Sequence, residues 1–262
     1  MVIDFHYHYI DKENNIDELL EQMRQASVDM TLMCAIEGLS WFNTTVGTNA
    51  RVYEAVKRFP DRITGCIYID PRWPDAYDII DEYADKGFKC VKMWPPVGFN
   101  PDEDRYFGVY EKIAKRGLPI LFHAGQTASN LVCTENRRST DSFCAYPMRF
   151  DKVARAFPEI PIILAHMGYP NYIETWSVAQ ANPNIYLDVA GGGPWIEGIP
   201  LVYSAIGKFI PIDFKRVLWG SDNCMQQKDS IEFAKNSLKQ MGCEESDFEF
   251  IFGETARRLL KI

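Results

Sequence analysis

The chain has 262 residues, 47% of them apolar and 24% charged, a balance that excludes disorder, collagen-like repeats and coiled coils. Its 28 Lys and Arg against 36 Asp and Glu give a net charge of −8, which repels phosphate backbones and anionic lipid, so no nucleic-acid or membrane partner is expected. A small-molecule substrate is expected instead, and the composition leaves homo-oligomer formation open. There is no apolar run of about 18 residues, and the opening MVIDFHYHYI has neither a basic n-region nor a small-residue cleavage site. The expectation is a cytoplasmic protein whose seven cysteines, with no CxxC pair, stay reduced.

The first β-rich apolar run covers 2–8. After it, Ile16, Leu19, Leu20, Met23 and Ala26 share one helical face, with Asn15 and Glu18 reading as N-cap and capping-box partner. A second strand is predicted at 30–36 and a helix at 49–59, stopped by Pro60. A strand at 63–70 precedes a helix at 74–86 that ends at Gly87, and a strand at 90–94 precedes a helix at 104–116 that ends at Gly117. The fifth strand, 119–123, is followed by a long non-periodic stretch, 125–146, and a helix at 150–157. Strands at 161–166, 184–190 and 216–222 and helices at 229–241 and 254–260 complete the chain. One strand falls roughly every 30 residues, the length of a strand, loop and helix. Eight such units with no change of composition predict one domain over 1–262, an α/β protein of the (β/α)8 TIM-barrel class. The rival, an open doubly wound sheet, needs a glycine-rich turn after its first strand, and here that strand ends His-Tyr-His.

The four histidines, His6, His8, His123 and His166, all fall at C-terminal ends of predicted strands, the face that carries active sites in such barrels. His6 and His8 are one residue apart, so a strand's period of two puts both on one face, with Tyr7 opposite; two imidazoles there can converge on one cation. The same alternation puts Asp4 on that face, one layer deeper, where it could orient a ligand. The competing reading of each histidine is a core residue bonded to backbone. Strands five and six end LFHAG and LAHMG, each with a Gly that lets the chain turn. Strand eight ends LWGSDN, and Asp222 after buried apolar residues needs a partner.

In strand four, Lys92 alternates with Val91 and Met93 and is expected to face into the barrel, paired with a carboxylate or, beside a cation, held neutral. A neutral amine there can take up carbon dioxide as a carbamate, an anionic oxygen ligand.

HxH on strand one, His on strands five and six and Asp on strand eight resemble the amidohydrolase superfamily across the whole barrel. The phrases IDFHYH, LFHAG, LAHMG and LWGSDN, with a closing FGETARRLL, look most like its amidohydrolase-related branch, which includes lactonases and aminocarboxymuconate-semialdehyde decarboxylase. The resemblance implies one divalent ion, zinc first, on His6, His8, His123 and Asp222, with His166 as acid/base. Two-metal members of the wider superfamily carry a carboxylated lysine where Lys92 stands, so a second ion with Lys92 as ligand stays open.

The reading that follows is a metal-dependent hydrolase of a small ester, lactone or amide. Asp222 takes a proton from the attacking water, and His166 polarises the carbonyl or protonates the leaving group. The alternative is a metal-dependent non-oxidative decarboxylase of a small unsaturated or aromatic carboxylic acid on the same ligands. A non-catalytic metal-binding barrel is a lesser alternative, and metal-dependent deoxyribonucleases, which also open with HxH, usually have Glu where this chain has Lys92. Arg137 and Arg138, after strand five, could clamp a substrate carboxylate or lie on the solvated surface. Trp41, after strand two, could wall the pocket, and Gly191-Gly192-Gly193 before Trp195 could bring backbone amides to substrate or form only a turn.

Overall fold

The computed structural model of the chain describes residues 1–10, 15–37, 39–41, 44–45, 47–127, 131–133 and 140–262, leaving out the side chains at 39–41, 44–45, 131–133 and 194. Eight parallel strands form one sheet in chain order: β1 (Ile3–His8), β2 (Met30–Cys34), β3 (Ile63–Tyr68), β4 (Cys90–Met93), β5 (Ile120–Phe122), β6 (Ile162–Leu164), β7 (Ile185–Asp188) and β8 (Val217–Leu218). The last returns to the first: Phe5 N donates to Trp219 O at 3.0 Å, and Asp222 N donates to His6 O at 2.7 Å. The architecture is the (β/α)8 barrel that the repeat predicts.

Helices α1 (Asn15–Ala26), α2 (Asn49–Arg58), α3 (Ala76–Asp85), α4 (Phe107–Arg116), α5 (Arg149–Ala156), α6 (Tyr172–Ala181), α7 (Pro194–Ile206) and α8 (Gln227–Gln240) surround it. Their ends follow local chemistry. Thr48 caps α2 by accepting from Arg51 N, and Gly117 ends α4 in the left-handed region. Asn15 departs from its predicted capping role. It is already inside α1, and its side-chain amide donates to Ile10 O. Helices α6 and α7 were not legible as amphipathic stretches. The buried residues of α6 include Tyr172, Thr175, Trp176, Val178 and Ala179, spread around the helix, and α7 is apolar nearly throughout with Pro200 inside it. Among the described residues no helix is long and apolar enough to cross a membrane.

The core has two layers. An outer one joins strands to helices through Val91, Met93, Ile120, Phe122, Leu187 and Trp219 among others. An inner one fills the barrel with Ile3, Phe5, Leu32, Cys34, Cys66, Cys90, Leu121, Ile163 and Leu218, and the closing helix Thr255–Leu260 adds Ala256, Leu259 and Leu260. The loops after β2 and β5 meet in a small antiparallel sheet, Leu39–Trp41 between Thr44–Thr45 and Leu131–Cys133.

The strands stop earlier than predicted. β6 ends at Leu164 and β8 at Leu218, and His166, Met167, Asp222 and Asn223 all have left-handed backbone, with φ of 58°, 46°, 51° and 54°. Such residues cannot continue a pleat, so these side chains leave the strand ends on tight turns. Gly220 makes the β8–β1 approach feasible, because a Cβ there would overlap the Cβ and backbone of His6. Gly220→Ala should lower stability by about 1–3 kcal/mol, the usual scale for overpacking. A denaturation midpoint equal to that of the wild type would contradict this reading of the seam.

Candidate metal centre

The turns and strand ends bring together three donor atoms. His6 Nε2 lies 3.1 Å from His8 Nε2 and 3.5 Å from Asp222 Oδ1, and His8 Nε2 lies 3.2 Å from the same oxygen. Ligands about 2.0–2.1 Å from a tetrahedral zinc are roughly 3.3 Å apart, so the three atoms already have the spacing of one coordination face. The donor types, imidazole nitrogen and carboxylate oxygen, suit a divalent ion.

Burial first, then the neighbouring Lys92, hold His6 well below the ordinary imidazole range; burial also lowers His8, and burial followed by His166 lowers His123. These rings stay neutral, with lone pairs to offer. Burial opposes charge on Asp222, but His6, the hydrogen bond from His8 and His166 outweigh it and leave its carboxyl well below the usual carboxylate range.

Lys92 is buried in β4, with Val91 and Met93 facing the outer layer as alternation predicts. Its described partner is an imidazole and not a carboxylate: Nζ lies 2.9 Å from His6 Nε2. Since a lysine nitrogen with hydrogens donates, His6 Nε2 accepts, and the His6 Nδ1–H is left to donate to Asp188 Oδ2 at 2.9 Å. His166 Nδ1 lies 3.0 Å from Ala190 O, so that nitrogen carries a proton and donates, and Nε2 lies 3.9 Å from Asp222 Oδ2. His123 stands slightly apart. Its Nε2 lies 3.3 Å from Gln126 O, and its ring is edge-on to His166 at 5.2 Å between centroids. Among the described residues the converging donor groups are His6, His8 and Asp222, and His6, His166 and Asp188.

Asp4 is where the sequence expectation fails. The pairing of β1 with β2 shifts register between Asp4 and Tyr7, a bulge that breaks strict alternation. Ile3 and Phe5 therefore pack in the inner layer. Asp4 accepts from Ser221 N and Oγ, Gln227 Nε2 and His6 N, and touches no imidazole ring among its described bonds. Burial pushes its carboxyl up to about 6 against those hydrogen bonds. Asp4 buttresses the turn after β8, and the residue that orients His6 is Asp188. Reasoning from sequence missed Asp188, although a signal was present: a carboxylate inside the apolar run Ile185-Tyr186-Leu187-Asp188-Val189-Ala190 needs a buried partner as much as Asp222 does.

Around the imidazoles stands an aromatic wall. The Trp195 ring is edge-on to His166 at 4.6 Å, stacked on Tyr169 at 5.3 Å, and 6.3 Å from His123. The glycines before it form the turn into α7, Gly191 and Gly193 having φ of 105° and 54°. Cys224 is exposed, and its thiol donates to Asp222 Oδ2 at 3.8 Å, a carboxylate whose charge disfavours the thiolate. Arg137 and Arg138 lie outside the described residues. Trp41 belongs to the small antiparallel sheet, its side chain likewise outside the description.

Because three buried imidazoles stay neutral in the folded chain, they take up protons on unfolding at pH values below their ordinary 6.5. Unfolded chain then binds more protons at these three sites, and Asp4, held up at about 6, offsets only one of them, so the metal-free protein should lose stability as pH falls through 6.5, by as much as about 1.4 kcal/mol per pH unit for each imidazole not offset. Chemical denaturation between about pH 5 and 8 checks this; stability that is flat or rises toward acid would contradict neutral burial.

The fold recurs in known proteins. An uncharacterised TIM-barrel protein from Bordetella bronchiseptica is 18% identical, with a TM-score of 0.75 over 99% of this chain and 98% of its own. A probable 2-pyrone-4,6-dicarboxylic acid hydrolase from Acinetobacter baumannii is 13% identical, with a TM-score of 0.69 over 100% and 99%. The 5-carboxyvanillate decarboxylase of Sphingomonas paucimobilis is 15% identical, with a TM-score of 0.66 over 100% and 99%. At such identities the likeness is one of fold. No curated protein matches the chain. The family model described as Amidohydrolase, however, matches residues 3–262, and the chain belongs to that family.

Proposed function

We propose that the chain is a metal-dependent hydrolase of a small ester, lactone or amide, with His6, His8 and Asp222 holding one divalent ion, zinc first. His123 is the fourth donor, once its Nε2 leaves Gln126 O. Such an ion, when bound, makes water acidic and draws electrons from a carbonyl oxygen. The chain's own groups then handle the proton. Asp222, a carboxylate at neutral pH, accepts it from the attacking water. The His166 Nε2 lone pair faces Asp222 Oδ2 across 3.9 Å, receives the proton and delivers it to the leaving group.

The approach of His166 Nε2 to Asp222 Oδ2, 3.9 Å, is the observation that carries the reading. Hydrolysis releases a proton at the water and consumes one at the leaving group, and the path from Asp222 to His166 joins the two. Decarboxylation releases no such proton at a water. It needs a donor at carbon, which His166 supplies only if it enters the step already protonated on Nε2, because its Nδ1–H is held by Ala190 O. The Tyr169–Trp195 wall nevertheless favours a second reading, decarboxylation of a planar unsaturated or aromatic acid, since flat rings stack on such a surface. Lys92 lines the site in both, and one ion is the reading we favour.

Three measurements test this. Replacing both His6 and His8 by Ala should abolish tight metal binding, and full occupancy in that variant would sink the assignment. Asp222→Asn should lower kcat at least about 100-fold on a lactone, ester or amide substrate; near-normal turnover with metal bound would remove Asp222 as proton carrier. Lys92→Ala should impair turnover while leaving one ion per chain. Two ions in the wild type, about 3.5–4 Å apart, would overturn the one-ion reading.

A further inference from the structure

Asp188 ends β7 wholly buried, and its carboxylate serves two histidines at once. Oδ2 accepts from His6 Nδ1 at 2.9 Å, while Oδ1 accepts from His166 N at 2.6 Å and from Ala190 N at 3.1 Å. Among the described residues its only ion-pair partner is His6. The Ala190 peptide extends the reach of this carboxylate, because its carbonyl accepts from His166 Nδ1 at 3.0 Å. The backbone of His166, held at a left-handed φ of 58°, and its ring are therefore both referenced to Asp188.

We propose that Asp188 is a positioning residue that sets, through one carboxylate, which nitrogen of His6 faces the donor cluster and how His166 is presented to it. The chemistry is in the acceptor count. A carboxylate oxygen only accepts, so the His6 proton must reside on Nδ1, and Nε2 is left as a lone pair aimed at His8 and Asp222, where the Lys92 amine donates to it in the absence of a cation. With the other tautomer, Nε2 would carry hydrogen and could not bind a cation. The second oxygen compensates the unfavourable backbone of His166 with a short hydrogen bond to its N–H. The two halves of the site, cation binding and proton handling, thus share one anchor. This rests on the proposed function only in calling His166 the proton-handling half; the tautomer of His6 can be read with no substrate at all.

Asp188→Asn separates the two duties. Its amide oxygen can still accept from His166 N and Ala190 N, but its NH2 cannot accept from His6 Nδ1–H and donates instead. In the metal-free chain labelled with 15N-histidine, with His6 assigned from a His6→Gln sample, the wild type should show His6 protonated on Nδ1. Lys92→Ala, which removes the other donor to Nε2, should keep the proton on Nδ1, and Asp188→Asn in that background should show it protonated on Nε2, with His166 still protonated on Nδ1. Zinc affinity, measured by competition with a chromogenic chelator, should fall roughly 10–100-fold in this variant. An unchanged His6 tautomer on adding Asp188→Asn to Lys92→Ala overturns the proposal, whatever happens to zinc affinity or to thermal stability. If the variant does not fold, the wild type decides: Nε2-protonated His6 in the folded metal-free chain overturns the proposal, and Nδ1-protonated His6 supports it. Absence of hydrolysis on every substrate tried, with the tautomer switch intact, would count against the proposed function and leave Asp188 in its role.

Discussion

The site depends on the seam where β8 meets β1. Asp222 comes from the far end of the chain and His6 and His8 from its start, and what joins them is the Asp222 N–H donating to His6 O at 2.7 Å. Asn223 doubles the tie: its side-chain oxygen accepts from His8 N at 2.6 Å, and its amide donates to His8 O at 2.9 Å. Asn tolerates the left-handed backbone this turn requires, and Gly220 removes the Cβ that would hold the strands apart. Closing the barrel and assembling the donors are thus the same event, so a defect at the seam reaches the chemistry directly.

Burial of the polar groups around the donor cluster is tolerated because His6, His166 and Asp4 have hydrogen-bond counterparts. Unpaired, such groups would each cost several kcal/mol. Here His6 is held between Asp188 and Lys92, His166 between Asp188 and Ala190 O, and Asp4 receives four hydrogen bonds beneath the turn after β8. The arrangement resists protonation of the imidazoles and keeps Asp222 charged, the combination that a cation site needs.

Much of this was legible in the sequence, for physical reasons. Short apolar runs closed by Gly and Pro announced the strands, and repeated βα spacing announced the barrel. Alternation placed Lys92 inward, and it placed His6 and His8 together. The same rule misled at Asp4, because a bulge adds a residue and shifts everything beyond it, and a bulge leaves no mark in the pattern IDFHYH. Asp188 was hidden by its setting in an ordinary strand. The left-handed turns at His166 and Asp222 are set by long-range hydrogen bonds that their backbone N–H groups donate to Asp188 and to His6 O, partners no local pattern names. Helices α6 and α7 escaped because apolar residues on every side erase the period that reveals an amphipathic helix.

The central claim is that the seam builds a cation site. Anomalous diffraction from crystals grown with zinc tests it most directly. The account predicts one strong peak shared by His6 Nε2, His8 Nε2 and the Asp222 carboxylate, with Asp188 still bonded to His6 Nδ1. A peak on Asp188 and His166 with the His6, His8 and Asp222 trio bare, or no peak in the barrel at all, would contradict it.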